Sequence, residues 1–237
     1  AESHVAAVTD PAGGAHAVEK LTDDLARAAW IAFGRIEEGG GIAAALGDGS
    51  LMEAVGRTAA ERTARISERS KPITGVSEFP HLHETLPQRR PYPDGAVPVA
   101  RYGAPFEALR DDPAATPVFL ATMGPVAAHT ARATFAANLL AAGGIDTVTA
   151  GATDAVEDVL ATYDGAPVVC LAGNDTAYEQ WGAALVTALR EAGAGWVVLA
   201  GDPGTAGPDV DDSAAVGVDA LAFCHRTREH LSRGADK

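Results

Sequence analysis

At 237 residues, with 47% apolar and 21% charged side chains, the chain has material for one large core or two small ones. A net charge of −14 leaves no basic surface to displace counterions from phosphate, which argues against nucleic acid and against an anionic membrane as partners. No apolar run nears the ~20 residues of a membrane span and no signal peptide is legible, so a reducing cytoplasm is the default setting and Cys170 and Cys224 read as buried thiols.

The chain opens on Ala1 rather than methionine, which suits a fragment or a processed product. Residues 1–70 read as helical. Val18, Leu21, Leu25, Ala28, Ala29, Phe33 and Ile36 recur at three- and four-residue spacing, one apolar helix face. Gly39-Gly40-Gly41 ends that helix, and Ser50-x-x-Glu53 reads as a capping-box start for the next. Two helices bury little between them, so this region is expected to pack on protein outside this sequence.

Residues 71–116 form a proline-rich stretch, with Pro72, Pro80, Pro87, Pro91, Pro93, Pro98, Pro105 and Pro113 interrupting any long helix. Its apolar beads predict an extended connector docked on a surface, with a short helix near Phe106–Arg110. A free linker would be rich in Gly and Ser and lack aromatics. Phe79, Tyr92, Tyr102 and Phe106 are the candidates for docking on a partner, against packing within the subunit itself.

Residues 117–237 alternate strand and helix. Strands are predicted at Val118–Met123, Thr147–Ala150, Pro167–Ala172, Gly195–Ala200 and Asp219–Phe223. Helices are predicted at 128–142, 153–163, 176–192, 209–215 and 225–233. Runs such as Val168-Val169-Cys170-Leu171 are apolar on successive residues, as in strands covered on both faces. The expected class is α/β: a doubly wound parallel sheet of flavodoxin-like order 2-1-3-4-5, with its ligand crevice at the carboxyl end of the first strand.

Several patterns invite a chemical reading. His81-x-His83-Glu84 places two imidazoles on one side of an extended segment, but no third or fourth ligand accompanies them. Gly201-x-x-Gly204-x-x-Gly207 follows a strand, yet Pro203 and Pro208 break it and Asp209, Asp211 and Asp212 would repel phosphate. It reads as a turn-rich loop leading to a solvated helix start. No Gly-x-Ser-x-Gly elbow occurs, and no nucleophile or general base stands out.

The loop after the first strand carries His129, in the frame Ala127-Ala128-His129-Thr130-Ala131-Arg132. The stretch resembles the start of the cobalamin-binding domain of the methylmalonyl-CoA mutase family, whose loop reads Asp-x-His-x-x-Gly. The resemblance implies a lower axial cobalt ligand at His129, but Ala127 stands where the family has aspartate and Arg132 where it has glycine. A ligating imidazole needs a partner on its second nitrogen to set its tautomer, and Ala127 cannot serve. The plain alternative for His129 is a histidine on the first turn of a helix. A guanidinium at 132 has to point away from the cofactor or fill its space.

Two more of the family's groove elements are altered. After the third strand comes Gly173-Asn174-Asp175 without the family's serine, and after the fourth comes Gly201-Asp202 without the paired glycine. Asn174 or Asp175 reads as a helix cap.

The resemblance extends upstream. Thr9-Asp10-Pro11-Ala12-Gly13-Gly14 with Val18-Glu19-Lys20-Leu21-Thr22 resembles the signature near the end of the family's barrel domain. Pro72-Ile73-Thr74-Gly75-Val76-Ser77-Glu78-Phe79 resembles the segment where the chain leaves that barrel. The implied organisation is the helical end of a TIM-barrel domain at 1–70, a connector at 71–116 and a cobalamin-binding-like α/β domain at 117–237.

The implied function is that of a structural, non-catalytic small subunit in a heterodimeric mutase that interconverts methylmalonyl-CoA and succinyl-CoA. Adenosylcobalamin is then expected on the partner large subunit. No catalytic residue and no metal ligand is assigned to this chain. Two alternatives stand beside it: a working cobalamin-binding subunit with His129 on cobalt, and a free-standing flavodoxin-like module that binds a partner.

Overall fold

The computed structural model describes residues 4, 7–85, 87–88, 90, 93, 95, 99–202, 204 and 208–235. Tyr92 and the connector's Pro91 and Pro98 lie outside the described residues, as do Pro203 and Gly207. The chain divides into two compact units, 1–60 and 61–237.

The first unit holds α1 (His16–Glu38), α2 (Gly41–Gly47) and the larger part of α3 (Ser50–Ser67). Gly40, at φ 98°, supplies the left-handed turn after α1. The glycine run therefore ends the helix as its sequence predicts, but a short second helix follows at once. No residue of α1 is buried. The start of α3 departs from the expected capping box. Asp48 Oδ1 accepts the Ser50 N–H at 2.9 Å, while Glu53 pairs with Arg57 at 2.6 Å.

In the second unit the connector carries α4 (Ala104–Asp111), close to the helix its sequence predicts. Then follow β1 (Val118–Thr122), α5 (Val126–Ala142), β2 (Thr147–Thr149), α6 (Val156–Thr162) and β3 (Val168–Ala172). The next helix is built in three parts: α7 (Asp175–Ala177), a π turn (Tyr178–Gly182) and α8 (Ala183–Glu191). The chain closes with β4 (Trp196–Ala200), β5 (Asp212–Ala214) and α9 (Ala220–Ala235). All strand pairs are parallel and the order is β2-β1-β3-β4-β5. The α/β class and the flavodoxin-like order thus follow the expectation.

The fifth strand does not lie where the sequence suggests. Ala220-Leu221-Ala222-Phe223-Cys224 begins α9, not a strand. Ala220, Phe223, Cys224, Thr227 and Leu231 are buried, a period of three and four that only a helix produces. Asp219 Oδ1 accepts the Ala222 N–H at 3.0 Å and caps its start. The edge strand is instead the acidic segment read as a helix. Its carboxylates are held: Asp211 Oδ2 accepts the Val197 N–H at 2.8 Å, and Asp212 binds Arg226 Nε at 2.9 Å.

Alternation along each strand serves two cores. Val118, Leu120, Val168, Cys170, Ala172, Val198 and Ala200 face α5 and α9, together with Phe106 and Leu109 of α4. Phe119, Ala121, Val169, Leu171, Val197 and Leu199 face the other way, toward Val159 of α6 and Leu185 and Leu189 of α8. The connector docks on the first of these cores. Phe106 is fully buried there, with Ile73 and Val76 packed beside it.

The burial of Phe106 removes it from the set of partner-docking candidates, because it is an internal core residue. Phe106→Ala is expected to lower stability by ~3–5 kcal/mol, the range for emptying a buried aromatic site. A urea titration of the isolated chain checks this, and a loss under 1 kcal/mol would contradict the packing described.

Candidate functional site

The crevice of this sheet opens at the carboxyl ends of β1, β3 and β4, where strand order reverses between β1 and β3. Gly124 leaves β1 with φ 85°, and Pro125 precedes α5 in an extended conformation (ψ 161°). His129 and Arg132 therefore sit on the first turns of α5, above the sheet edge.

His129 is buried at 7% exposure. Its Nδ1 lies 3.1 Å from the Gly124 carbonyl oxygen. A carbonyl only accepts, so Nδ1 is the donor in this bond, and in a neutral ring the lone pair then lies on Nε2. The backbone thus orients the ring in place of a carboxylate, and Ala127 is exposed and contributes nothing to it.

Arg132 crosses the crevice. Its Nη1 donates to the Gly173 carbonyl after β3 at 2.8 Å, and its Nη2 reaches Asp175 Oδ1 at 2.5 Å. The guanidinium carbon lies 4.9 Å from the Tyr178 ring centroid. Burial opposes its charge, but the Asp175 hydrogen bond and the neighbouring Tyr178 raise its pKa above the ordinary arginine value. On the far side the group abuts Gly201, where a Cβ would fall 3.2 Å from Arg132 Nε. One side chain thus spans from α5 across the end of β3 to the end of β4.

Beneath it lies Tyr178, which sequence reasoning missed. The π turn carries Tyr178 at its start and the ring is 6% exposed. Its hydroxyl donates to Ala200 O at 2.8 Å, with Leu171 O at 3.2 Å, and accepts the Gly173 N–H at 3.1 Å. One phenol therefore ties the ends of β3 and β4 together. The available signal was a lone tyrosine in an alanine-rich helix start, since a buried Tyr hydroxyl usually finds partners.

The remaining sequence candidates resolve into structural roles. Asn174 caps α7, its Oδ1 accepting the Ala177 N–H at 2.9 Å, while Asp175 is given to Arg132. Asp202 Oδ1 accepts the Gly204 N–H at 3.0 Å in a local turn. His83 Nε2 sits 3.3 Å from Asp146. Among the described residues no group of three or more His, Cys, Asp or Glu is placed to hold a metal. Cys170 and Cys224 are free and buried, and burial pushes both thiols up to about 12. No helix among the described residues is long and apolar enough to cross a membrane.

Comparison with known proteins places this geometry in a family. The methylmalonyl-CoA mutase family model matches residues 1–159. The chain belongs to the methylmalonyl-CoA mutase family. It is 44% identical to the methylmalonyl-CoA mutase small subunit of Streptomyces virginiae over 97% of this chain and 39% of that protein. Identity to the small subunit of Propionibacterium freudenreichii subsp. shermanii is 34%, over 84% of this chain and 33% of that one. The large subunit of Streptomyces virginiae is also similar, at 41% over 33% of this chain and 11% of its own length. The chain thus spans between a third and two fifths of the small subunits it resembles.

The cobalamin that this mutase family resemblance implies can be fitted against the crevice. The space between α5 and the ends of β3 and β4 is taken up by the Arg132 guanidinium and the Tyr178 ring. The residues present do not fit the group as folded.

Burial raises the Tyr178 pKa from 10.0 to about 12, partly offset by the Gly173 hydrogen bond. Above pH 10 the unfolded chain therefore ionises first, and this tyrosine's contribution to stability is lost between pH 10 and about 12. Tyr178→Phe leaves the Gly173 N–H without its acceptor and is expected to cost ~1–3 kcal/mol at pH 7. The gap between wild type and variant should narrow from pH 10 to 12 in urea titrations. A gap that stays constant across that window would contradict the burial described.

Proposed function

We propose that the chain is part of a methylmalonyl-CoA mutase small subunit whose α/β domain has given up cofactor binding for a structural role. In this reading the subunit pairs with a large subunit to form a heterodimer. Adenosylcobalamin and the radical interconversion of methylmalonyl-CoA and succinyl-CoA belong to that partner. The observation that carries the reading is Arg132, laid across the crevice and bonded to Gly173 and Asp175. It occupies the room a ligand would need, and it does so with its donors matched to acceptors of this chain. Alpha-helix α1 supports the wider assignment. Leu21, Leu25, Trp30, Ile31 and Phe33 are each more than half exposed, which suits a helix that packs on further protein. The free-standing module gains no support, since similarity to named small subunits covers 97% of the chain.

A second reading rests on one specific observation. The bond from Nδ1 to Gly124 leaves His129 Nε2 as the free acceptor, the nitrogen and tautomer a metal ligand needs.

Titration with cobalamin, followed by visible spectroscopy and by spin resonance of the cob(II) form, separates the two. The structural reading expects no spectral change at ~100 μM cofactor, which corresponds to a Kd of about 1 mM or weaker. Tight binding with imidazole-nitrogen coupling, lost in His129→Ala, would replace it with the second reading.

Docking on the large subunit is tested through the connector. Phe79 is 69% exposed and Tyr102 60% exposed, the latter with Arg62 4.5 Å from its ring centroid. Phe79→Ala is expected to weaken assembly with the large subunit by about tenfold, as for a moderate hot spot, without moving the urea midpoint. Unchanged assembly would retire Phe79 as an interface residue.

A further inference from the structure

Outside the crevice, the connector turn at 73–79 sends one side chain outward while its neighbours pack in. Ile73 and Val76 lie against the core, and Ser77 is fully buried. Ser77 Oγ accepts the Ile73 N–H at 2.9 Å, and the Gly75 N–H reaches the Glu78 carbonyl at 2.7 Å. From α4, Arg110 Nη1 donates to the Val76 carbonyl at 2.6 Å. The turn is thus fixed from within and tied to α4 before the chain reaches Phe79.

Phe79 departs from this inward packing. It is 69% exposed and holds φ 51°. Left-handed backbone is uncommon outside glycine, asparagine and aspartate, and least common for bulky residues. Such conformations persist where the surrounding structure fixes them. Here the fixing group is Asn138 of α5. Its Oδ1 accepts the Phe79 N–H at 2.6 Å, across 59 positions of sequence.

Three ordinary needs leave the phenyl group unexplained. Burial does not call for it, because the ring stands in solvent. The turn does not call for it, because glycine adopts this backbone at less cost. The bond from Asn138 fixes the backbone and needs no ring. Display remains: an aromatic held in one direction before contact spares a partner the ordering it would otherwise cost.

We propose that Asn138 is a positioning residue for assembly, presetting Phe79 for docking on the large subunit. The proposal rests on the reading of Phe79 as an interface residue and names what holds it ready. Asn138 acts through the Phe79 backbone, so its effect on assembly requires the Phe79 ring. Apparent affinity falls in proportion to the fraction of chains in the docking-competent conformation.

Calorimetric titration of the full chain with the large subunit tests this, using Phe79→Ala, Asn138→Ala, Asn138→Asp and the double variant Phe79→Ala/Asn138→Ala beside the wild type. Asn138→Ala is expected to weaken assembly about fivefold, the scale of one ordinary hydrogen bond. Asn138→Asp keeps an oxygen acceptor and should stay within about twofold of the wild type. In the Phe79→Ala background, Asn138→Ala should cost nothing further, a non-additivity that a general loss of stability does not produce. Amide hydrogen exchange in the isolated chain reads the hold without any partner. The Phe79 N–H is expected to be protected in the wild type and in Asn138→Asp, and to exchange faster in Asn138→Ala. A weakened Phe79→Ala beside an unchanged Asn138→Ala overturns the positioning role alone. So does an equal loss from Asn138→Ala with and without the ring, or an unprotected Phe79 amide in the wild type. Undiminished assembly of Phe79→Ala overturns the interface reading, and the proposal with it.

Discussion

One guanidinium laid across two strand ends shapes the crevice of the α/β domain. An open parallel sheet leaves a crevice where its strand order reverses, and ligands of such folds enter there. In this chain Arg132 fills that crevice from the α5 side, and its neighbours are shaped around it. A Cβ on Gly201 would fall 3.2 Å from Arg132 Nε, and its φ of 121° itself favours glycine. Tyr178 lies under the guanidinium and joins Leu171, Gly173 and Ala200 through one hydroxyl. The ion pair itself contributes little to stability, since Asp175 is 81% exposed and such pairs are worth ~0–1 kcal/mol. The consequence of Arg132 is volume: it closes a space, whatever its net energy.

Small residues make the rest of that closure possible. Several glycines sit where elements touch. A Cβ on Gly143 would fall 2.5 Å from Cys224 Sγ, and one on Gly144 would fall 2.5 Å from the Leu109 carbonyl oxygen. Gly144 also holds φ 71°. The approach of α9 and α4 to the α5 turn depends on these two positions. Arg228 then staples the same corner, donating to the carbonyls of Leu109, Gly143 and Asp112. Burial at Phe106 and Leu109 follows from that approach, which draws the connector onto the sheet's helical face.

Legibility from sequence tracked the length of each apolar pattern. Strands covered on both faces read clearly, because Val168–Ala172 and Trp196–Ala200 are apolar on successive residues, and their alternation with helices dictated the order of the sheet. The edge strand was illegible for two reasons. A short apolar run such as Ala220–Cys224 reads equally as a buried strand or a helix start. The true strand, Asp212–Ala214, carries charge because an edge needs burial on fewer sides. At the crevice, His129 and Arg132 were visible from their frame, while Tyr178 was not. A π turn leaves no periodic trace over so few residues, and only the fold reveals that its tyrosine reaches back to two strand ends. The connector was half legible: its apolar beads signalled docking, but not that Phe106 docks inward and Phe79 stays out.

Arginine carries nearly all of this acidic chain's positive charge, with lysine only at positions 20, 71 and 237. A planar fork suits that use, because one guanidinium can meet a carbonyl and a carboxylate at once. Arg190, Arg226 and Arg228 each tie a loop or strand end to an aspartate. Arg132 does the same across the crevice, with its Nη1 and Nη2 each given an acceptor. Arg69 departs from this pattern: it is the more deeply buried of the two and has one long contact and an unmatched Nε. At Arg132 the chain itself supplies the acceptors, Gly173 O and Asp175 Oδ1.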